Sequence, residues 1–283
     1  MTLTPVPDLI AAARPGGLGA FNVITLEHAE AIAAAAESMN HAVVLQLSQN
    51  TVGYHDNLAP IALACLRIAA DSSAHIAVHL DHATSFELIR AAVDLGIRSV
   101  MYDGSTLDYA ANIAATAEVT RWCHARDVFV EAELGEVGGK DGAHAPGVRT
   151  DPDEAAEFVT ITGVDALAVA VGSSHAMHTR TAELDNDLIS RLATKLPVPL
   201  VLHGSSGVPD EGLRAAVQHG MTKINIATRL NVLATNAIRA ILTGDPDICD
   251  PREYLTPART AIRTEVERLL RLLAYQPAQP PLG

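Results

Sequence analysis

The chain has 283 residues, of which 48% are hydrophobic and 4% aromatic, and its formal net charge at pH 7 is −13. This composition suits a globular fold with an aliphatic core, whereas the acidic charge argues against nucleic acid and anionic membranes as partners. Three cysteines without a CxxC motif indicate a reducing, cytoplasmic setting, and we find neither a signal peptide nor an apolar run long enough to cross a bilayer.

Short apolar runs alternate with alanine-rich helical patterns along the chain. Strands are predicted at residues 19–24, 41–48, 75–82, 99–103, 128–134, 165–172, 199–203 and 223–228. Helices are predicted at 25–39, 57–70, 85–95, 108–125, 152–162, 186–195, 209–219 and 229–242, and a last helix at 257–274. This alternation predicts an α/β fold, a single (β/α)8 TIM barrel with an extra C-terminal helix.

An open doubly wound sheet is the alternative architecture. It is disfavoured because no GxGxxG motif follows the first predicted strand. No linker or charge run divides the chain, so we expect one barrel domain over residues 1–275 and a disordered, proline-rich tail at 276–283.

The third predicted strand carries the most informative polar residues. Its apolar residues 76–78 lead directly into His79, Asp81 and His82. A carboxylate and an imidazole at the end of a buried strand are costly without partners, and a metal with a polar substrate would supply such partners. The alternative interpretation is a buried structural histidine beside a helix-capping aspartate.

Polar residues also lie at, near or just after the ends of the other predicted strands, except for Asn225, which lies within the eighth. In a TIM barrel the carboxyl ends of the strands carry the reacting groups. These residues are Asn22, Ser48, Asp103, Glu131, Glu133, His175, His203 and Asn225. Helix capping could account for Asp103 and Ser48, but it does not account for three histidines at equivalent heights.

Those three histidines indicate a metal centre. His82, His175 and His203 would form a three-nitrogen site with an open fourth position, which suits zinc acting as a Lewis acid. Asp103 and Glu133 could accept hydrogen bonds from the ligand histidines, or hold the metal in an alternative position.

Two further residues are predicted not to react. Glu131 lies two residues before Glu133 and therefore faces the same side of its strand, where we expect it to be buried support. Lys223 is predicted to begin the eighth strand, at the end of the barrel away from the site. The sequence therefore offers no lysine at the barrel centre for Schiff-base chemistry.

A phosphate site is predicted after the last two strands. The segment Gly-Ser-Ser-Gly at 204–207 follows the seventh strand, and residues 225–228 close the eighth. Loops at these places, with a helix N-terminus, form the usual phosphate site of a TIM barrel. Two ordinary turns are the alternative interpretation.

Six segments together give the chain a specific resemblance to a known family. They are His-Leu-Asp-His at 79–82, Met-Tyr-Asp-Gly-Ser at 101–105, Val-Glu-Ala-Glu-Leu-Gly at 130–135, Leu-His-Gly-Ser-Ser at 202–206 with Val-Pro-Asp at 208–210, Lys-Ile-Asn-Ile-Ala-Thr at 223–228, and Asp-Pro-Arg at 250–252. With them, nearly the whole chain resembles the class II, zinc-dependent ketose-bisphosphate aldolases. The resemblance implies reversible cleavage of a ketose 1,6-bisphosphate to dihydroxyacetone phosphate and an aldehyde phosphate.

The resemblance also implies a role for each matching residue. Zn2+ would be bound by His82, His175 and His203, with Asp103 and Glu133 at the positions of a second or alternative metal. Asp81 would be the acid/base that acts on the C4 hydroxyl, and Asn225 would help to stabilise the enediolate. The sugar phosphate would contact Asn22, Ser48, Gly204, Ser205, Ser206, Asn225, Ile226, Ala227 and Thr228.

An oligomer and a second ion are implied as well. Arg252 matches an arginine that reaches a neighbouring subunit and grips the aldehyde-side phosphate, which implies a homodimer or a homotetramer. A monovalent cation, Na+ or K+, would lie beside the first phosphate.

The chain departs from the family pattern at two positions. After His175 the family usually has glycine, whereas this chain has Ala176, which restricts φ and adds a methyl group. The loop after residues 138–139 usually carries a glutamate that removes the C1 proton of dihydroxyacetone phosphate. Here Asp141 is the candidate replacement, with one methylene less reach.

Fructose 1,6-bisphosphate is the leading substrate, because Ser48 resembles the fructose enzymes more than the tagatose enzymes. Tagatose 1,6-bisphosphate, or another aldolase reaction that uses dihydroxyacetone phosphate, is the alternative. A non-catalytic aldolase-like subunit is a further alternative. Such a subunit should have lost its ligand histidines, whereas this chain has all three histidines and Asp81. A barrel amidohydrolase should begin with HxH at the first strand, where this chain has Phe-Asn-Val at 21–23.

Overall fold

The structure is a computed structural model that describes residues 3–134, 149–174 and 179–274. In these residues, parallel strands close into a barrel in chain order, with the first strand paired to the second and to the eighth. The strands are β1 (Leu18–Asn22), β2 (Val43–Ser48), β3 (Ile76–Ala83), β4 (Ser99–Tyr102), β5 (Phe129–Leu134), β6 (Ala166–Val169), β7 (Leu200–Leu202) and β8 (Met221–Ile226). The predicted (β/α)8 barrel is confirmed.

The helices surround this barrel. They are α1 (Val6–Ala13), α2 (Leu26–Met39), α3 (Gln49–His55), α4 (Leu58–Asp71), α5 (Phe86–Asp94), α6 (Tyr109–His124), α7 (Pro152–Thr162), α8 (Asn186–Lys195), α9 (Asp210–His219), α10 (Thr228–Gly244) and α11 (Pro251–Leu273). The sequence patterns do not predict α1 and α3, since their 8 and 7 residues are too short to show a helical period. Within the described ranges, no helix is both long and apolar enough to cross a membrane. The predicted tail at 276–283 lies outside those ranges.

The last helix begins earlier than predicted. We expected a start near residue 257. The structure instead has Pro251 in the first turn, where proline is favoured, and the side chain of Asp250 caps the helix by accepting from the Arg252 N–H at 3.0 Å. Pro257 therefore lies inside α11.

Helix α1 closes the amino end of the barrel. Its residues Val6, Leu9 and Ile10 are at most 4% exposed. They pack against interior residues of the first three strands, namely Leu18, Ala20, Val44 and Ala77. Because this end is filled by apolar side chains, the opposite end is the one available to a polar ligand.

The barrel interior changes from apolar to polar along the strands. Side chains two residues apart on a strand face the same side. The apolar interior clusters include Ala20, Val44, Ala77, Met101 and Val201. Two residues further along the same strands come Asn22, Gln46, His79, Asp103 and His203. Consequently, the polar residues converge at the carboxyl end of the barrel.

Candidate active site at the carboxyl end of the barrel

Strand β3 departs from regular geometry at His82. An ordinary strand points consecutive side chains to opposite faces, so Asp81 and His82 could not both face the barrel axis. His82 instead has a left-handed backbone with a φ of 52°, and the register between β3 and β4 shifts between Leu80 and Ala83. Such irregularities re-aim side chains beside active sites. Here the ring centroid of His82 lies 4.6 Å from that of His203.

Imidazoles and carboxylates converge around this ring. Nδ1 of His82 is 2.7 Å from Oδ2 of Asp103 and 3.8 Å from Oε2 of Glu133. Potential ligand atoms of Asp81, His82 and His203 lie within 4.8 Å of one another, and the same holds for His82, Asp103 and Glu133. Four predicted metal-binding residues therefore lie together, whereas the fifth, His175, is outside the described residues.

His203 lies between two buried glutamates. Its Nε2 is 3.1 Å from Oε1 of Glu131, and its Nδ1 is 3.2 Å from Oε2 of Glu133. Burial alone would lower the pKa of His203, but hydrogen bonding to the two carboxylates raises this pKa to about 9. At neutral pH the imidazole is therefore protonated between the two carboxylates, and the Nδ1 proton stands where a metal cation could bind.

The donor set fits a zinc ion. Imidazole nitrogens and carboxylate oxygens are its usual ligands besides thiolates. Burial by itself would raise the pKa of Glu133, but the hydrogen bond to His203 and the neighbouring imidazole of His82 outweigh burial and lower this pKa. The carboxylate is therefore ionised at neutral pH. The individual ligand roles stay predictions.

Asp81 is held between two amides. Nδ2 of Asn22 donates to Oδ2 of Asp81 at 3.2 Å, and Nδ2 of Asn225 donates to Oδ1 at 3.5 Å. Burial would raise the pKa of Asp81, but the imidazoles of His82 and His203 lower it to about 2. The carboxylate is therefore ionised at neutral pH and can accept a proton.

A glutamine that was not among the predicted site residues orients one of these amides. Nε2 of Gln46 donates to Oδ1 of Asn22 at 3.2 Å, so that Nδ2 of Asn22 faces Asp81. The signal was present in the sequence, since Gln46 lies two residues before Ser48 on the same face of β2. Ser48 itself caps α3, and its Oγ accepts from the Thr51 N–H at 3.2 Å.

Glycine is required at the start of the predicted phosphate loop. Gly204 has a φ of 66°, and a Cβ atom there would lie 2.6 Å from the carbonyl of Ser174. The preceding Ser173 donates its hydroxyl to the carbonyl of His203 at 2.6 Å. Residues 173–174, which follow β6, therefore pack closely against residues 203–204, which follow β7.

The two predicted phosphate segments lie together. The hydroxyl of Ser205 donates to the carbonyl of Asn225. Oγ of Ser206 accepts from the N–H of Ala227 at 3.4 Å and from the N–H of Arg229 at 3.2 Å. These bonds bring the loop after β7 to the first turn of α10, where a helix N-terminus favours an anion.

Of the two remaining predicted site residues, Asp141 lies outside the described residues, and Arg252 is not brought into this cluster. Arg252 lies in the first turn of α11, where its side chain is 87% exposed and its Nη2 pairs with Oδ2 of Asp250 at 2.6 Å.

Lys223 lies inside the barrel, where the sequence prediction was wrong. Strand β8 begins at Met221, so Lys223 is an interior residue of that strand. Its side chain is fully buried, and its Nζ is 2.8 Å from Oε2 of Glu131 and 2.9 Å from Oδ1 of Asn225. The spacing of two residues between Lys223 and Asn225 indicates this shared face.

Known proteins resemble the chain over nearly its whole length. The family described as fructose-bisphosphate aldolase class-II matches residues 7–276. A fructose-bisphosphate aldolase of Geobacillus stearothermophilus is 37% identical over 272 residues, which cover 94% of this chain and 95% of that protein. One of Staphylococcus epidermidis is 36% identical over 277 residues, which cover 96% and 97% of the two chains.

A solved structure agrees with these sequence relatives. The crystal structure of the YdjI aldolase from Escherichia coli K12 superposes with a TM-score of 0.84 at 29% identity, covering 96% of this chain and 97% of that chain. The resemblance seen in the sequence is thereby confirmed. The chain is a lyase and belongs to the class II fructose-bisphosphate aldolase family.

Proposed function

We propose that this protein reversibly cleaves fructose 1,6-bisphosphate to dihydroxyacetone phosphate and an aldehyde phosphate. The observation that carries the proposal is the buried carboxylate of Asp81 beside the converging imidazoles of His82 and His203. Cleavage of the C3–C4 bond leaves negative charge that must delocalise into the C2 carbonyl, so the site needs an electrophile and a base close together.

Zinc is the proposed electrophile, and when bound it supplies a Lewis acid that polarises the carbonyl. Its proposed ligands are His82, His175 and His203, with Asp103 and Glu133 able to hold a second or alternative position. A carboxylate only accepts, so Nδ1 of His82 carries a hydrogen toward Asp103 and Nε2 is left as the ligand atom. A monovalent cation, Na+ or K+, is proposed from the family resemblance.

Asp81 is the proposed acid/base. As a carboxylate it takes the C4 hydroxyl proton during cleavage and returns a proton to the aldehyde oxygen during condensation. The amide donors of Asn22 and Asn225 hold its two oxygens, which keeps the carboxylate oriented without protonating it. The proposal that Asp141 acts on the C1 proton rests on the resemblance alone.

The first phosphate is assigned to the loop at 204–206 and to residues 225–228. For the second phosphate we propose Arg252 of a neighbouring subunit, in a homodimer or homotetramer. The exposure of its side chain leaves the guanidinium accessible to such a neighbour. The free cysteines Cys65, Cys123 and Cys249 support the proposed cytoplasmic location.

Removal of metal is the direct test of this function. We expect a chelator to abolish cleavage of fructose 1,6-bisphosphate, because the carbonyl then lacks its electrophile, and we expect added Zn2+ to restore the rate. Coupled detection of dihydroxyacetone phosphate measures the rate, and elemental analysis measures the metal content. Cleavage that persists in fully metal-free protein would refute the mechanism. Folded protein that never binds metal would favour a non-catalytic subunit.

A substrate panel tests the assignment to fructose. We expect kcat/KM for fructose 1,6-bisphosphate to exceed that for tagatose 1,6-bisphosphate by about tenfold or more, since the two differ only at the C4 hydroxyl. A preference for tagatose 1,6-bisphosphate would move the assignment to the tagatose enzymes.

The variant Arg252→Ala tests the assignment of the second phosphate. It should lower kcat/KM for the bisphosphate and leave kcat/KM for fructose 1-phosphate unaffected, because only the bisphosphate carries the second phosphate.

A further inference from the structure

Beneath the proposed metal site, the barrel axis holds polar residues that the proposed reaction does not use. They are His79, Ser99, Glu131 and Lys223, and all are at most 2% exposed. Nδ1 of His79 is 2.7 Å from Oγ of Ser99, and its Nε2 is 3.9 Å from Oε2 of Glu131. A fully buried ammonium and carboxylate are costly to desolvate, so packing alone is a weak explanation for this pair.

The first contact of the ammonium leads to a proposed metal ligand. Lys223 holds Oε2 of Glu131 at 2.8 Å, and the other oxygen, Oε1, is 3.1 Å from Nε2 of His203. An ionised carboxylate can only accept, so Nε2 of His203 donates and carries a hydrogen. Nδ1 is thereby left as the atom that can bind a metal on the side facing Glu133.

The second contact leads to an amide beside the proposed acid/base. An ammonium can only donate, so the atom of Asn225 at 2.9 Å from Nζ of Lys223 must be the carbonyl oxygen Oδ1. The amide nitrogen then faces the other way, and it lies 3.5 Å from Oδ1 of Asp81. The ammonium therefore determines which way this asparagine points.

We propose that Lys223 is a positioning residue: from beneath the site, its ammonium selects the ligand nitrogen of His203 through Glu131 and the orientation of Asn225 directly. This inference rests on the proposed function only for the identity of the metal and of the acid/base. The contacts themselves join three strands, because Glu131 lies on β5, His203 directly follows β7, and Lys223 and Asn225 lie on β8.

A rival interpretation is that His79, Asp81 and Glu131 form a second metal site, since their potential ligand atoms lie within 4.8 Å of one another. The position of the ammonium argues against it. Nζ of Lys223 already bonds Oε2 of Glu131, the same oxygen that faces Nε2 of His79. The ammonium of Lys223 therefore already balances negative charge in the group formed by His79, Asp81 and Glu131.

The test replaces Lys223 with methionine, which keeps a long unbranched side chain and removes the ammonium. We expect the affinity for Zn2+, measured by competition with a chromogenic chelator, to fall by about ten- to a hundredfold. The absorption bands of the Co2+-loaded protein should shift, because the His203 ligand is no longer held in one orientation. With saturating Zn2+, kcat for fructose 1,6-bisphosphate should fall more than KM changes.

A double variant separates positioning from charge balance. In the double variant Lys223→Met with Glu131→Gln, both members of the buried pair are uncharged. Thermal stability should therefore return toward that of the wild type, even if Lys223→Met by itself folds poorly. Because the amide replaces the carboxylate that orients His203, Zn2+ affinity should stay at least about tenfold below wild type. Full recovery of both Zn2+ affinity and the Co2+ spectrum in the double variant would overturn the proposal.

Arg259→Met is the matched control, because it breaks a surface ion pair with Glu30 (2.6 Å) instead of a buried one. It should leave Zn2+ affinity, the Co2+ spectrum and kcat unchanged. The metal measurements need no substrate, so wild-type protein that binds Zn2+ without cleaving the bisphosphate would contradict the proposed function and leave this inference standing. A Lys223→Met protein with wild-type Zn2+ affinity would overturn this inference and leave the proposed function standing.

Discussion

Alanine in place of Asp81 is expected to lower kcat for cleavage by a factor of about a hundred or more. The change removes the carboxylate that Asn22 and Asn225 hold beside the imidazoles of His82 and His203. Asp81→Asn should lose as much, because the amide keeps the volume of the side chain and cannot accept the C4 hydroxyl proton. Steady-state kinetics at saturating Zn2+ and saturating fructose 1,6-bisphosphate measures both variants.

A surface aspartate provides the control for this prediction. Asp71 is 58% exposed on α4 and pairs with Arg67 at 2.6 Å, so Asp71→Ala should leave kcat within about twofold of wild type. Circular dichroism and thermal unfolding verify that each variant is folded. An unaltered kcat in Asp81→Asn would rule out the acid/base role.

His203→Ala is expected to lower kcat/KM by about a thousandfold, which corresponds to about 4 kcal/mol of lost transition-state stabilisation. It removes a proposed zinc ligand, so the zinc content of the purified protein should fall as well. Glu131 and Glu133 also lose the imidazole that lies 3.1 Å and 3.2 Å from them, respectively. Breaking a buried ion pair in this way should lower the free energy of unfolding of the metal-free protein by about 3–5 kcal/mol.

Elemental analysis, kinetics and denaturant unfolding test the three parts of this prediction separately. His41→Ala is the control. Within the described part of the chain, the hydrogen bond that its ring makes is the one between Nδ1 and the carbonyl of the neighbouring Asn40. That variant should retain zinc, activity and stability. A His203→Ala protein with full zinc content and wild-type kinetics would remove His203 from the proposed ligand set.

Several site residues could be predicted because strand ends are visible in a local pattern. Asn22 lies near the end of an apolar run, Ser48 ends one, and Asp103 directly follows one. In a parallel barrel all such ends meet at one rim, so residues far apart in the chain were expected to meet. The meeting of His82 with His203 follows this reasoning, whereas the loop positions His175 and Asp141 lie outside the described residues.

The position of Lys223 shows why a local pattern was insufficient. The predicted strand began at this residue, but the pairing of Met221 with Leu200 of β7 extends β8 back to Met221. That small change moves the lysine from the strand start to the barrel axis. Its partner Glu131 is 92 positions away in the chain, and no periodicity links residues at that distance.

The amino-acid sequence by itself determined the barrel architecture, the family and the polar rim of strand ends, because apolar alternation and short motifs are properties of neighbouring residues. Only the tertiary structure decided how the adjacent residues Asp81 and His82 both face the barrel axis, and that a lysine occupies the axis beneath the site. The left-handed backbone at His82 accompanies the register shift between β3 and β4, and the buried ammonium depends on a carboxylate from β5. Both depend on contacts between strands, which form only when the barrel closes.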